Sequence, residues 1–236
     1  MSFEPPEHEH IDLDNVFGTR RATGWDFWKA SAYMGRAAAA LQHFALAGST
    51  ISLRLFSIYL NNRERGLVVS LKAREVDEVL SVDKARNAIH DCLEEIIGTV
   101  RVLAQDPRNL NTVHSVRMKD WKVVEKAPTA EWPSDPIAAD VATSLGDYSL
   151  GVGAEVIIKK HEGGPQLEAR ITFCVFIHDV YKYHDYDDPN DAPGKNKTYT
   201  RGLLELEEYG MARRFKTIGD TRHLLGDPWS VRNVLI

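Results

Sequence analysis

The run LEARITFCVFIHDVY, residues 167–181, does most to limit how this chain can fold. In an extended strand successive side chains point to opposite faces. Thr172, Cys174, Phe176 and His178 then share one face, while Phe173, Val175, Ile177 and Asp179 share the other. Both faces are apolar up to residue 177, so the run reads as a central strand covered on both sides. The same strand carries Asp179 onto a buried face, and the chain then enters a knot of polar residues, KYHDYDDPND. A rigid sheet that ends in such a cluster is a natural place for a functional site.

The neighbouring segments predict how that strand is paired. Glu155–Lys160 and Leu167–Ile177 flank HEGGPQ, a short Gly-containing loop, which is a hairpin signal. Short alternating runs precede it, VHSVRM, WKVVEK and YSLGVGAEVIIKK, interrupted by the Pro-containing connector Ala127–Pro136. The first half of the chain is different. Trp25–Ala47 reads as a helix closed by Gly48, and Asp83–Gln105 carries Ala85, Ile89, Cys92, Leu93, Ile96, Val100 and Leu103 on one helical face. Ile51–Leu60 fits either a strand or a buried helix, because branched and aromatic residues suit both. Further on, Leu203–Phe215 reads as a short amphipathic helix, Ile218-Gly219-Asp220 as a turn, and LLGDPWSVRNVLI as a packed tail. Helices first and strands afterwards predict an α+β fold: an N-terminal helical part followed by an antiparallel β-rich C-terminal part. Residues 1–24 form a flexible arm in this reading, 25–110 the helical region and 111–236 the β-rich functional region. The last two are either separate or one continuous domain.

A net charge of −5 and a pI near 6.0 argue against a nucleic-acid partner. No apolar run is long enough for a transmembrane segment. The start, MSFEPPEHEHIDLDN, is acidic and polar, unlike a secretory signal. That fits a protein that is cytoplasmic in its producer or exported by a dedicated non-classical system. Cys92 and Cys174 lie in apolar patterns without a CxxC spacing, which predicts two buried free thiols.

No phosphate-cradling glycine loop, HExxH or GxSxG motif is present, so the chemistry rests on residues 178–188. A carboxylate at buried depth needs hydrogen bonds or a cation. Asp179 is therefore a candidate base or metal ligand, and Tyr181, two residues on, a candidate donor to a phosphate group. His178 lies on the opposite face. Arg201, Arg213 and Arg214 are the cations downstream that would contact an anionic substrate. Asp185 and Asp187 alternate like the opening of a Ca²⁺ loop, but Pro189 breaks the EF-hand pattern. Carboxylate oxygens suit Mg²⁺ or Ca²⁺. The competing reading makes Asp179 a loop-pinning residue among core aromatics.

At this strand the sequence resembles the catalytic segment of the colicin-M-like bacteriocins, toxins that degrade lipid II. That family carries Asp-x-Tyr-Asp at a strand end, with His-Arg some residues later. Asp179-Val180-Tyr181 matches the first three positions; Lys182 stands where the second Asp belongs, and Thr200-Arg201 matches only the Arg. Leu145–Val156 and Glu205–Asp220 resemble the flanking segments of related toxin modules. The resemblance spans about residues 140–222. It implies a Mg²⁺-dependent phosphodiesterase acting on a lipid-linked anionic cell-wall precursor at a membrane surface, in the target's periplasm. Asp179, Tyr181 and Arg201 would be catalytic, with His178, Arg213 and Arg214 contacting substrate. Asp185 would join Asp179 on the metal in place of the missing carboxylate. A cognate immunity protein would protect the producer. The alternative is a non-catalytic binding or scaffolding module on the same toxin-like fold.

Overall fold

The computed structural model describes residues 3–6, 23–125, 134–181 and 197–236. Two helices open it, α1 (Gly24–Ala47) and α2 (Thr50–Asn61). Gly48 between them sits at φ 71°, the left-handed conformation that closes a helix, and Ser49 N–H donates back to the Phe44 carbonyl. The run left open between strand and helix is thus helical. Its buried residues, Ile51, Ser52, Leu55, Phe56, Tyr59 and Leu60, recur at three- and four-residue steps that only a helix can gather on one side. There follow β1 (Val68–Ser70), α3 (Ala73–Ser81) and α4 (Asp83–Leu103). The face of α4 inferred from the sequence is the buried one, from Ala85 to Val100.

The second half supplies β2 (Val113–Arg117), β3 (Lys122–Val124), α5 (Pro136–Ser144), β4 (Tyr148–Lys160), β5 (Leu167–Tyr181), α6 (Lys197–Glu208), β6 (Phe215–Asp220) and β7 (Val231–Leu235). The fold is α+β, with the helices mainly N-terminal and the strands mainly C-terminal. Among the described residues seven strands form one sheet in the order β1-β6-β5-β4-β2, with β3 also on β4 and β7 also on β5. Every pairing is antiparallel except β1 with β6. The hairpin loop sets the central register, Lys160 opposite Leu167, which runs unbroken to Ser149 opposite His178.

Two sequence expectations are corrected here. Ile218-Gly219-Asp220 is not a turn but the second half of β6, hydrogen-bonded along β5. The helix expected over Leu203–Phe215 ends at Glu208; Gly210 at φ 69° closes it and Phe215 already belongs to β6. The sequence shows an amphipathic pattern there, yet the left-handed glycine stops it early. Leu203 and Leu206 do face inward.

Strand β5 is central and covered on both sides. Phe173, Val175 and Ile177 join the large apolar cluster under the helices, which runs from Ala30 of α1 to Phe215 of β6. On the reverse face Cys174 and Phe176 pack with Phe3, Trp121 and Leu225. Residues 3–6 lie across β4 there: a Cβ on Gly153 would fall 2.6 Å from the Glu4 carbonyl oxygen, and one on Gly151 2.6 Å from Pro6. Thr221 closes a gap in the ladder between β7 and β6, its hydroxyl accepting from Val175 N–H at 2.9 Å.

Candidate functional site

Asp179 stands two residues from the end of β5, on the helix-covered face, and is 7 % exposed. The β5–β6 register places it opposite Thr217, itself fully buried. On the other side, the β4–β5 register continued by one step places Tyr148 opposite Asp179. Tyr148 is opposite Val124 and Thr217 opposite Val69. One transverse row therefore reads Val124, Tyr148, Asp179, Thr217, Val69, with a carboxylate between two hydroxyls and apolar residues at its ends. The adjoining rows are apolar: Leu150, Ile177 and Gly219 on one side, Tyr181 and Phe215 on the other.

Neither the Tyr148 phenol nor the Thr217 hydroxyl has a hydrogen-bond partner among the described residues. A buried polar group without a partner costs about 1–3 kcal/mol. Burial also pushes the Tyr148 phenol well above its ordinary value, so it is a neutral O–H donor at any physiological pH.

The expected companions of Asp179 fall out unequally. Tyr181 is 6 % exposed, its ring stacked on Phe215 at 5.0 Å and 1° and lying 5.8 Å from Tyr59. The Tyr59 hydroxyl in turn donates to the Leu203 carbonyl at 2.9 Å. Tyr181 thus joins an aromatic group that locks the end of β5 to α2 and β6. His178 lies on the reverse face, its ring 5.6 Å from that of Trp121. Arg213 and Arg214 immediately precede β6, at the sheet end where β5 terminates. Arg213 is buried and donates to the Arg63 carbonyl at 3.2 Å. Arg214 makes a nearly buried pair with Glu207 through Nε at 2.8 Å and Nη2 at 2.5 Å. Arg201 projects from α6 into solvent and, among the described residues, pairs with Glu205 at 3.6 Å. At that distance, and with Arg201 largely in solvent, the pair is worth little, which leaves this guanidinium available to an anion.

Asp185 lies outside the described residues. Among the described residues no group of three His, Cys, Asp or Glu side chains is placed to hold a metal ion. Asp179 brings one carboxylate to this row, fewer oxygens than a Ca²⁺ site takes from a protein. A cavity of about 830 Å³ beside Ile89, Leu93 and Trp229, and one of about 360 Å³ beside Trp121 and Phe176, do not include Asp179. Among the described residues no helix is long and apolar enough to cross a membrane.

Neither Tyr148 nor Thr217 is among the residues that the sequence alone marks as candidates. The signal for Tyr148 was present: counting back along both strands from the HEGGPQ loop brings it opposite Asp179. Thr217 had none, because β6 returns to β5 from across α6 and its register is set by tertiary packing.

No family model and no curated protein matches the chain. Among solved structures it is similar to PaeM, a colicin M-like bacteriocin produced by Pseudomonas aeruginosa. The likeness has a TM-score of 0.34 and 14 % identity, and covers 78 % of this chain and 50 % of that one. The chain therefore spans about half the length of the structure it matches.

Proposed function

We propose that the chain is an antibacterial effector that hydrolyses a phosphodiester or pyrophosphate bond in a lipid-linked cell-wall precursor. The observation that carries this reading is Asp179: a carboxylate 7 % exposed, at the end of a doubly covered central strand, in the sequence Asp179-Val180-Tyr181. In this reading Asp179 takes a proton from water as the water oxygen attacks phosphorus. The bond from phosphorus to the leaving oxygen breaks, and Asp179 returns the proton to that oxygen. The products are a phosphate monoester and the released alcohol or phosphate. Arg201, itself 75 % exposed and paired among the described residues with Glu205 at 3.6 Å, supplies charge to the phosphoryl oxygens. Tyr181 acts through its stacking, which fixes the strand end that carries Asp179. Arg213 and His178 hold the backbone and the reverse face beside it. A cognate immunity protein in the producer belongs to the same reading.

A second reading, a non-catalytic binding module, is favoured by Tyr181 itself, whose ring is committed to the aromatic core. Periplasmic expression of the wild type beside Asp179→Asn separates the two. Lysis by the wild type that Asp179→Asn abolishes, with the variant still folded by circular dichroism, supports the hydrolase. Equal growth of both strains sinks it. Purified protein assayed on the precursor with and without EDTA then reads metal dependence directly: a requirement for a divalent ion appears as loss on chelation and recovery with Mg²⁺.

A further inference from the structure

We propose that Thr217 and Tyr148 are positioning residues for Asp179, hydroxyls held on the two flanking strands to orient its carboxylate and the water beside it. The proposal rests on the reading of Asp179 as the reacting carboxylate. It starts from an oddity of packing. The two adjoining rows on the helix-covered face are apolar, yet this row places three polar side chains side by side on β4, β5 and β6. Tyr148 is 4 % exposed and Thr217 fully buried, and neither hydroxyl has a partner among the described residues. Native cores rarely keep such groups without a reason, because an apolar side chain of the same shape is more stable there.

The row supplies the reason. Residues directly opposite in antiparallel strands have Cβ atoms roughly 5 Å apart, within reach of a hydroxyl-to-carboxylate hydrogen bond after one rotamer step. The row's other neighbours, Val69 and Val124, offer no acceptor in their side chains. Thr217 thus faces one acceptor across the ladder, the Asp179 carboxylate, and its O–H fixes which lone pair Asp179 presents to water. Tyr148 has the longer side chain, so its O–H extends farther from the sheet than the Asp179 carboxylate and, in this proposal, donates to the attacking water rather than to Asp179 itself. Both groups are donors held in place before reaction, at the cost of stability.

The test separates stability from function in the full-length chain, with Thr217→Val, Thr217→Ser and Tyr148→Phe compared to wild type and Asp179→Asn. Thr217→Val and Tyr148→Phe are expected to melt within a few degrees of the wild type, because each change also removes a buried hydroxyl, while losing about tenfold to hundredfold in lysis rate. Thr217→Ser, which keeps the hydroxyl, is expected to restore most of that rate. If Asp179→Asn silences lysis but Thr217→Val and Tyr148→Phe lyse like wild type, the proposal is overturned. It is also overturned if both lower the melting temperature by several degrees, as lost structural bonds would. Where the wild type itself does not lyse cells, the Asp179 reading fails but this proposal still meets a test. The ¹³C signal of the Asp179 carboxyl, assigned by its absence in Asp179→Asn, must move in Thr217→Val and stay in Thr217→Ser; no movement overturns it.

Discussion

Two buried carboxylates show how differently the same group is treated in one fold. Asp140 of α5 is 6 % exposed and accepts from Ile51 N–H and Ser52 N–H at 3.0 Å and from the Ser52 hydroxyl at 2.5 Å. It caps the first turn of α2 from across the molecule, since Ser49 makes no side-chain cap there. Those donors are orphans of the helix start, and the negative charge meets the positive end of the helix dipole. Asp140→Ala should therefore cost about 3 kcal/mol, read from the urea midpoint, with Asp140→Asn less damaging. A loss below about 0.5 kcal/mol would show that water replaces the cap. None of this was visible in the sequence, because the partners lie 88 and 89 residues apart. The thiols were legible from their apolar surroundings, and both are free and buried. Burial pushes the Cys92 thiol from 9.0 up to about 11, with Glu95 adding to the effect. The folded state then holds its proton longer than the unfolded chain does. The sign follows: this contribution to stability is whole below pH 9 and is lost as the pH rises from 9 towards 11. Urea midpoints between pH 8 and 11 should fall, and Cys92→Ala should flatten the decline over that window.

At the level of elements, the sequence was most informative where a local signal fixes a register. The HEGGPQ loop and the alternation around it define the β4–β5 hairpin, and with it which face each residue takes. The alternation puts Asp179 on the face of Phe173, Val175 and Ile177, which is the helix-covered one. The failures share one cause. α2 has strand-like composition, and β6 begins inside what reads as a helix, so each is decided by what it packs against. The segment at residues 3–6 belongs to the same class. It lies on the reverse face of β4, and the two glycines beneath it have no side chain to obstruct it. Gly153→Ala puts a Cβ against the Glu4 backbone, a contact no rotamer relieves. It should cost about 1–3 kcal/mol in the full chain and close to nothing once residues 1–6 are deleted. The cycle of both changes, followed by thermal melts, checks this. Equal losses with and without residues 1–6 would mean that Gly153 answers to the strand itself rather than to the segment above it.

Across the whole molecule, one apolar cluster ties helices and sheet together, but its depth is uneven. α4 buries Ala85, Ala88, Ile89, Cys92, Leu93, Ile96, Ile97 and Val100 against the strands. α1 is longer, at 24 residues, yet among its described side chains only Ala30 and Ala37 are fully buried. Trp28 and Leu46 remain 75 % and 82 % exposed. Its grip on the rest depends on Tyr33, Leu41 and Phe44, partly buried against α2 and α6, and on a close approach at Gly202. A Cβ there would fall 2.4 Å from the Tyr33 ring. Free energy of opening scales with apolar area lost to water, so α1 should detach well before the sheet unfolds. Native-state hydrogen exchange is the measurement. Amides of α1 should exchange through an opening at least about 2 kcal/mol cheaper than that of α4, whose protection should equal global stability. Gly202→Ala should widen the gap, lowering protection in α1 while leaving α4 unchanged, because the clash acts on the α1–α6 contact alone. Equal protection in the two helices, or an equal fall in both on Gly202→Ala, would show one cooperative unit. The long Ala-rich helix would then be held by more than its small buried area accounts for.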